Sequence, residues 1–295
     1  MRRSTTSVGT ERSDRAAGGL ASAGRRSLGA VLLAELILAA VLIGKAALPA
    51  PAPPPSSPPT TAVTAATHPA PVTSMALPDG RTARLLALGG RQAPALLDRI
   101  GAELGAAGAA VTAFWGPDWP REIEIAVAGS DQQFRVLAGG AADIAATTTA
   151  QRIMFAPGAA DMSPAALRIV LRHELFHYAA RSRTAADAPR WLTEGVADYV
   201  GRPPAAPPGP VQAASLAQLP TDADLDTPGA ARSLAYDRAW WFSRYVADRY
   251  GAPALRELYL RACGPDHRDV PTAVHEVLGT DLDQVLADWR RWLSG

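Results

Sequence analysis

The chain has 295 residues, 48% hydrophobic and 19% charged, with a formal net charge of +1, enough apolar material for one sizeable domain or two small ones. The charge is uneven: residues 1–27 hold six arginines (Arg2, Arg3, Arg12, Arg15, Arg25, Arg26) against Glu11 and Asp14, a net +4, which leaves −3 for the rest. A folded part on the acidic side of neutrality offers no basic surface to a nucleic-acid backbone, which argues against that class of partner. Cys263 is the only cysteine, so no internal disulfide forms. It reads as a helix-packing residue, and His267 in a turn-like stretch four residues on is weak support for a thiol nucleophile.

Residues 1–27 read as a basic cytoplasmic tail. From Leu28 to Leu48 the chain is apolar except for Glu35 and Lys45, long enough to span a hydrocarbon core. The arginines ahead of it predict the N-terminus inside and everything after it outside. Glu35 costs about 2–3 kcal/mol on insertion scales, less if protonated or near the interface. An uncleaved signal anchor is favoured by the long leader. A cleaved signal peptide with its site near Gly44–Ala47 is the alternative, and it makes the mature chain secreted. Either places the remainder outside the cytoplasm.

Residues 49–72 are rich in Pro, Ala, Ser and Thr with no apolar period, an extended tether that also contains His68. Residues 73–295 are the expected folded domain. A hairpin is expected around Pro78-Asp79-Gly80. A helix from about Ala93 to Phe114 follows, with Leu97, Ile100, Leu104 and Val111 on one stripe and Gly101, Gly105 and Gly108 open to close packing. Glu122–Ala128 alternates as a half-buried strand. Ser130 and Gln133 then form a capping-box pattern for a short helix stopped at Gly139-Gly140. Arg152–Pro157 reads as a further short strand, the expected edge along which an extended peptide could pair.

Beyond this the pattern is helical. Ser163-Pro164 opens a helix through about Arg181. Further helices are expected near Trp191–Val200, Ala230–Tyr250, Ala252–Arg261, Val270–Leu278 and Leu282–Leu293, with a loop over Gly201–Pro210. Strands first and helices later predict an α+β fold. Asp222–Asp226 begins like a calcium loop but has Thr227 and Ser233 where glycine and glutamate belong, so it reads as a polar loop. His267 and His275 lack metal-ligand spacing.

The chemistry concentrates in "LRHELFHYAA", Leu171–Ala180. On a helix His173 and His177 lie one turn apart and face the same way, so their nitrogens can share one Zn2+. Glu174 sits about 100° round the helix, placed to take the proton of a metal-bound water rather than to ligate. Two core histidines beside a buried glutamate would instead leave an unpaired charge, at several kcal/mol. A catalytic zinc needs a third protein ligand. "PRWLTEGVADYV" supplies Glu194 on a second helix, with Asp198 one turn on, able to accept the outer N–H of a ligand histidine. Trp191, Leu192, Val196 and Tyr199 surround both acids with apolar residues, a setting in which two carboxylates call for a cation.

"RHELFH" followed by "PRWLTEGVADYV" resembles the gluzincin metallopeptidases, most closely the bacterial peptidase MA-like domains. "LAYDRAWWFSRYVADRYG" (Leu234–Gly251) resembles those domains too. The resemblance spans roughly Glu122 to Tyr250 and is looser over Thr73–Arg121. It implies a zincin-like fold: a small N-terminal sheet with helices, a mostly helical C-terminal half and the active site between them. It implies that His173, His177 and Glu194 bind one zinc per chain, that Glu174 is the base and that Asp198 orients a ligand histidine. Tyr236 is the candidate donor to the oxyanion, against a packing role on an aromatic-rich helix. The third ligand follows sooner than in thermolysin, so details of the substrate cleft are not carried over. The function implied is a membrane-tethered, extracytoplasmic zinc endopeptidase acting on peptides or proteins. A non-catalytic binding module of the same fold and a zinc amidase acting on cell-wall peptides are the alternatives.

Overall fold

The computed structural model describes residues 72–139 and 143–295. The basic tail, the apolar segment 28–48 and nearly all of the Pro/Ala-rich tether lie outside them. Among the described residues no helix is long and apolar enough to cross a membrane.

Strands β1 (Val72–Ala76) and β2 (Thr82–Ala87) form the expected hairpin. Helix α1 (Ala93–Trp115) buries Leu97, Ile100, Leu104 and Val111. Its three glycines face the hairpin, where an added Cβ would lie 3.4 Å from Met75 at Gly101, from Pro78 at Gly105 and from Leu77 at Gly108. Strand β3 (Glu122–Val127) follows, then helix α2 (Asp131–Ala138). The Ser130 hydroxyl accepts from the Gln133 N–H (3.1 Å), while the Gln133 carbonyl reaches one residue further back than a capping box, accepting from the Gly129 N–H (2.6 Å).

A short strand that the sequence pattern does not announce, β4 (Ala146–Thr148), precedes β5 (Ile153–Phe155). The sheet order is β1-β2-β3-β5-β4. β2, β3 and β5 run parallel, and β1 and β4 lie antiparallel at the two margins. β5 is therefore interior and β4 is the edge, which corrects the expected role of Arg152–Pro157. The apolar run Ile153-Met154-Phe155 is buried on both faces, the mark of an interior strand. Ile123, Ile125 and Val127 face the main core with α1, and Ala126 and Ala128 face Phe134 of α2.

The remainder is helical: α3 (Pro164–Ala180), α4 (Arg190–Gly201), α5 (Pro210–Leu216), α6 (Asp222–Asp226), α7 (Ala230–Tyr250), α8 (Ala252–Cys263), α9 (Val270–Leu278) and α10 (Leu282–Ser294). α6 replaces the expected polar loop, because Thr221 and Asp224 cap each other's backbone reciprocally. Ser163 caps α3 as predicted, accepting from the Ala166 N–H at 3.2 Å. Helix α3 packs on α1, α4 and β4, and α4 packs chiefly on α7. Phe176 fixes the rotation of α3, meeting Trp115 of α1 and Tyr259 of α8 edge-on with centroids 5.6 and 5.4 Å away. Cys263 is fully buried at the end of α8, and burial pushes its thiol pKa up, as suits a packing residue.

Candidate metal centre

The rotation that buries Phe176 also turns His173 and His177 inward, where both are 4% exposed. Their ring centroids are 4.7 Å apart and their Nε2 atoms 3.1 Å apart. Helix α4 lays Glu194 against them, with Oε2 at 3.1 Å from His173 Nε2 and 3.5 Å from His177 Nε2. Gly195 makes this approach possible, since a Cβ there would lie 2.4 Å from the Ala239 carbonyl oxygen of α7.

Protonation shows what these atoms require. Asp198 Oδ1 accepts from His173 Nδ1 at 2.9 Å, so the neutral ring turns the lone pair of Nε2 towards Glu194 and His177. His173 Nε2 and Glu194 Oε2 then face each other at 3.1 Å as two acceptors. A proton resolves the conflict: burial opposes charge on His173, but Asp198 and Glu194 more than offset it and raise its pKa to about 10. Burial likewise opposes charge on Glu194, yet the two histidines hold its pKa down at about 2. A metal cation resolves the conflict equally well. Ligand atoms on a tetrahedral zinc at about 2.0–2.1 Å lie roughly 3.3 Å from one another, and the three separations observed here are 3.1, 3.1 and 3.5 Å. His173, His177 and Glu194 thus fit a zinc ion, and among the described residues they are the only such group.

Glu174 is fully buried next to the cluster's histidines. Its Oε2 accepts from the Thr148 hydroxyl of β4 at 2.7 Å, while Oε1 has no hydrogen-bond partner in the protein. Burial raises its pKa, against the pull of His173, His177 and the Thr148 hydroxyl. A carboxylate held in this way is tuned towards accepting a proton. Tyr236, on α7, is 1% exposed. Its ring lies 6.5 Å from that of His173 and its hydroxyl hydrogen-bonds Glu194. Burial, together with the Glu194 and Asp198 charges, raises its pKa well above the ordinary phenol value.

All six residues singled out in the sequence therefore meet in one place. Thr148 and Arg202 join them without having been singled out. The run Thr147-Thr148-Thr149 is β-branched, which favours strands, but it is too short to carry a strand period. Arg202 lies one turn after Asp198 and pairs with its Oδ2 at 2.6 Å. His267 and His275 lie apart from the site, near Asp187 and Asp281 respectively.

No family model and no curated protein matches the chain. Solved structures do. Aminopeptidase A of Legionella pneumophila in complex with aspartic acid is 16% identical, with a TM-score of 0.47 over 74% of this chain and 27% of that one. A mutant M1 zinc metallopeptidase of Deinococcus radiodurans is 18% identical, with a TM-score of 0.45 over 75% of this chain and 52% of that one. A two-domain M1 zinc metallopeptidase mutant bound to L-arginine is 16% identical, with a TM-score of 0.45 over 77% and 52% of the two chains. The chain thus spans between about a quarter and a half of these proteins.

Proposed function

We propose that the chain is a zinc-dependent endopeptidase held at the outer face of a membrane by residues 28–48. The observation that carries this reading is the convergence of His173 Nε2, His177 Nε2 and Glu194 Oε2 within 3.5 Å beside a buried, half-partnered Glu174. Zinc, when bound, supplies a Lewis acid that polarises a carbonyl and makes water acidic enough to deprotonate near neutral pH.

His173, His177 and Glu194 hold the ion, and Asp198 fixes the His173 tautomer so that Nε2 faces it. Glu174 takes the proton of the attacking water on Oε1, while Thr148 holds Oε2 in place. The same carboxyl then delivers the proton to the leaving amine, which restores it for the next cycle. The Tyr236 hydroxyl is the donor that supplements the cation as negative charge develops on the carbonyl oxygen. Its raised pKa keeps that proton in place.

β4 supports the role of Glu174. It is the antiparallel edge of the sheet and carries Thr148, the partner of Glu174. Its three residues are buried, with Thr148 the most exposed at 4%, so the strand positions Glu174 from within the fold. The arginines of residues 1–27 and the apolar run behind them support the tether; cleavage of that run would give a secreted form.

Digestion of an unbiased peptide mixture tests the reading. Wild type should cut internal bonds, lose activity on chelation and regain it with zinc, whereas Glu174→Gln should stay inert. Equal inertness of both proteins with zinc bound would replace this reading with that of a binding module.

A further inference from the structure

We infer that Arg202 is a positioning residue for the metal centre: its guanidinium forks between Asp198 and Asp237 and holds Asp198 where it orients His173. The inference rests on the reading that His173, His177 and Glu194 hold zinc. Arg202 Nη2 lies 2.6 Å from Asp198 Oδ2, and Nη1 donates to Asp237 Oδ1 at 2.7 Å. The Arg202 side chain is 7% exposed and that of Asp198 2%, and the guanidinium carbon lies 5.0 Å from the Trp240 ring centroid. A buried guanidinium is costly to keep unless its charge is met, and here two carboxylates meet it.

The two oxygens of Asp198 are divided between partners. Oδ1 accepts from His173 and Oδ2 faces Arg202. The contact to Oδ2 is an ion pair rather than an aligned hydrogen bond, so the Arg202 charge holds the Asp198 carboxylate against His173. Arg202 also closes α4, its N–H donating to the Asp198 carbonyl at 2.8 Å, so the fork reaches one turn back along its own helix. The other prong ends on Asp237, the residue after Tyr236 on α7. One side chain thus joins the helix bearing Glu194 and Asp198 to the helix bearing Tyr236. Arginine suits this because two separate nitrogens reach the two carboxylates at once, which the single ammonium of lysine does not.

A cycle of zinc dissociation constants on the full chain, measured by competition with a chromophoric chelator, tests this. Arg202→Lys keeps the charge but removes the fork, and should weaken zinc binding about 10-fold, the scale on which outer partners of ligand histidines act. In an Asp198→Asn background the same substitution should change zinc affinity less than about twofold, because Arg202 acts through Asp198. Should Arg202→Lys fail to fold, Asp237→Asn releases the other prong and carries the same pair of expectations. Unchanged affinity in the wild-type background, or an equal loss in both backgrounds, overturns the inference. A wild type that takes up no zinc overturns the metal centre and this inference together. The cycle is read on zinc alone, so its outcome is independent of whether any peptide is cleaved.

Discussion

Glu174 and His173 make different demands on the same buried space. Glu174→Gln keeps the shape of the site and should retain zinc, yet lose peptide hydrolysis by at least about 100-fold, the usual worth of a general base. Assays of zinc content and turnover on one preparation check both halves. Tyr236→Phe should lower turnover by about 10–100-fold with zinc affinity unchanged, if its hydroxyl serves the developing oxyanion; unchanged turnover would leave it a packing aromatic. The metal-free protein has its own pH dependence. His173 is raised to about 10 from an ordinary value of 6.5, so the stability it contributes is complete below about 6.5 and is lost as pH rises towards 10. Glu194 is lowered to about 2 from 4.5, so its contribution is present above about 4.5 and is lost as pH falls towards 2. Melting curves of metal-free protein should therefore fall on the alkaline side. Zinc should flatten that fall, because it replaces the proton on His173 and binds more tightly as pH rises.

At the level of elements, the contact between α4 and α7 depends on the absence of a side chain at Gly195. Gly195→Ala forces its Cβ into the Ala239 carbonyl and should cost about 1–3 kcal/mol, read as a melting temperature lower by roughly 3–10 °C. Elements with a local cause are legible in the sequence. The stripe of α1, the Ser163 cap of α3 and the four-residue spacing of His173 and His177 each depend on neighbours along the chain. Glu194 and Asp198 are legible too, because a turn between two helices is short enough to bring them back. β4 is not, since three residues carry little periodicity and its place is set by pairing with β5. Thr148 is hidden with it. The fork of Arg202 is hidden for a similar reason, because Asp237 reaches it only through the crossing of α4 and α7. α6 is masked because its acids resemble ion ligands, whereas Asp224 is occupied in capping Thr221.

Across the molecule, the site is assembled from both halves of the fold. The sheet brings Thr148, and the helical half brings His173, Glu174, His177, Glu194, Asp198 and Tyr236. Arg232 joins the halves again, pairing with Asp143 ahead of β4 at 2.6 Å while donating to the Leu225 and Asp226 carbonyls at 3.0 and 3.1 Å. The proposed tether has its own check. After alkaline extraction of membranes the full chain should remain in the pellet; a shorter, soluble product would show that the apolar segment is removed. All of this chemistry turns on whether the three ligand atoms of His173, His177 and Glu194 hold a cation. Metal analysis of the purified chain addresses that directly. About one zinc per chain is expected in the wild type, and almost none in His177→Ala or Glu194→Ala. Wild-type protein that remains metal-free after incubation with zinc would contradict it.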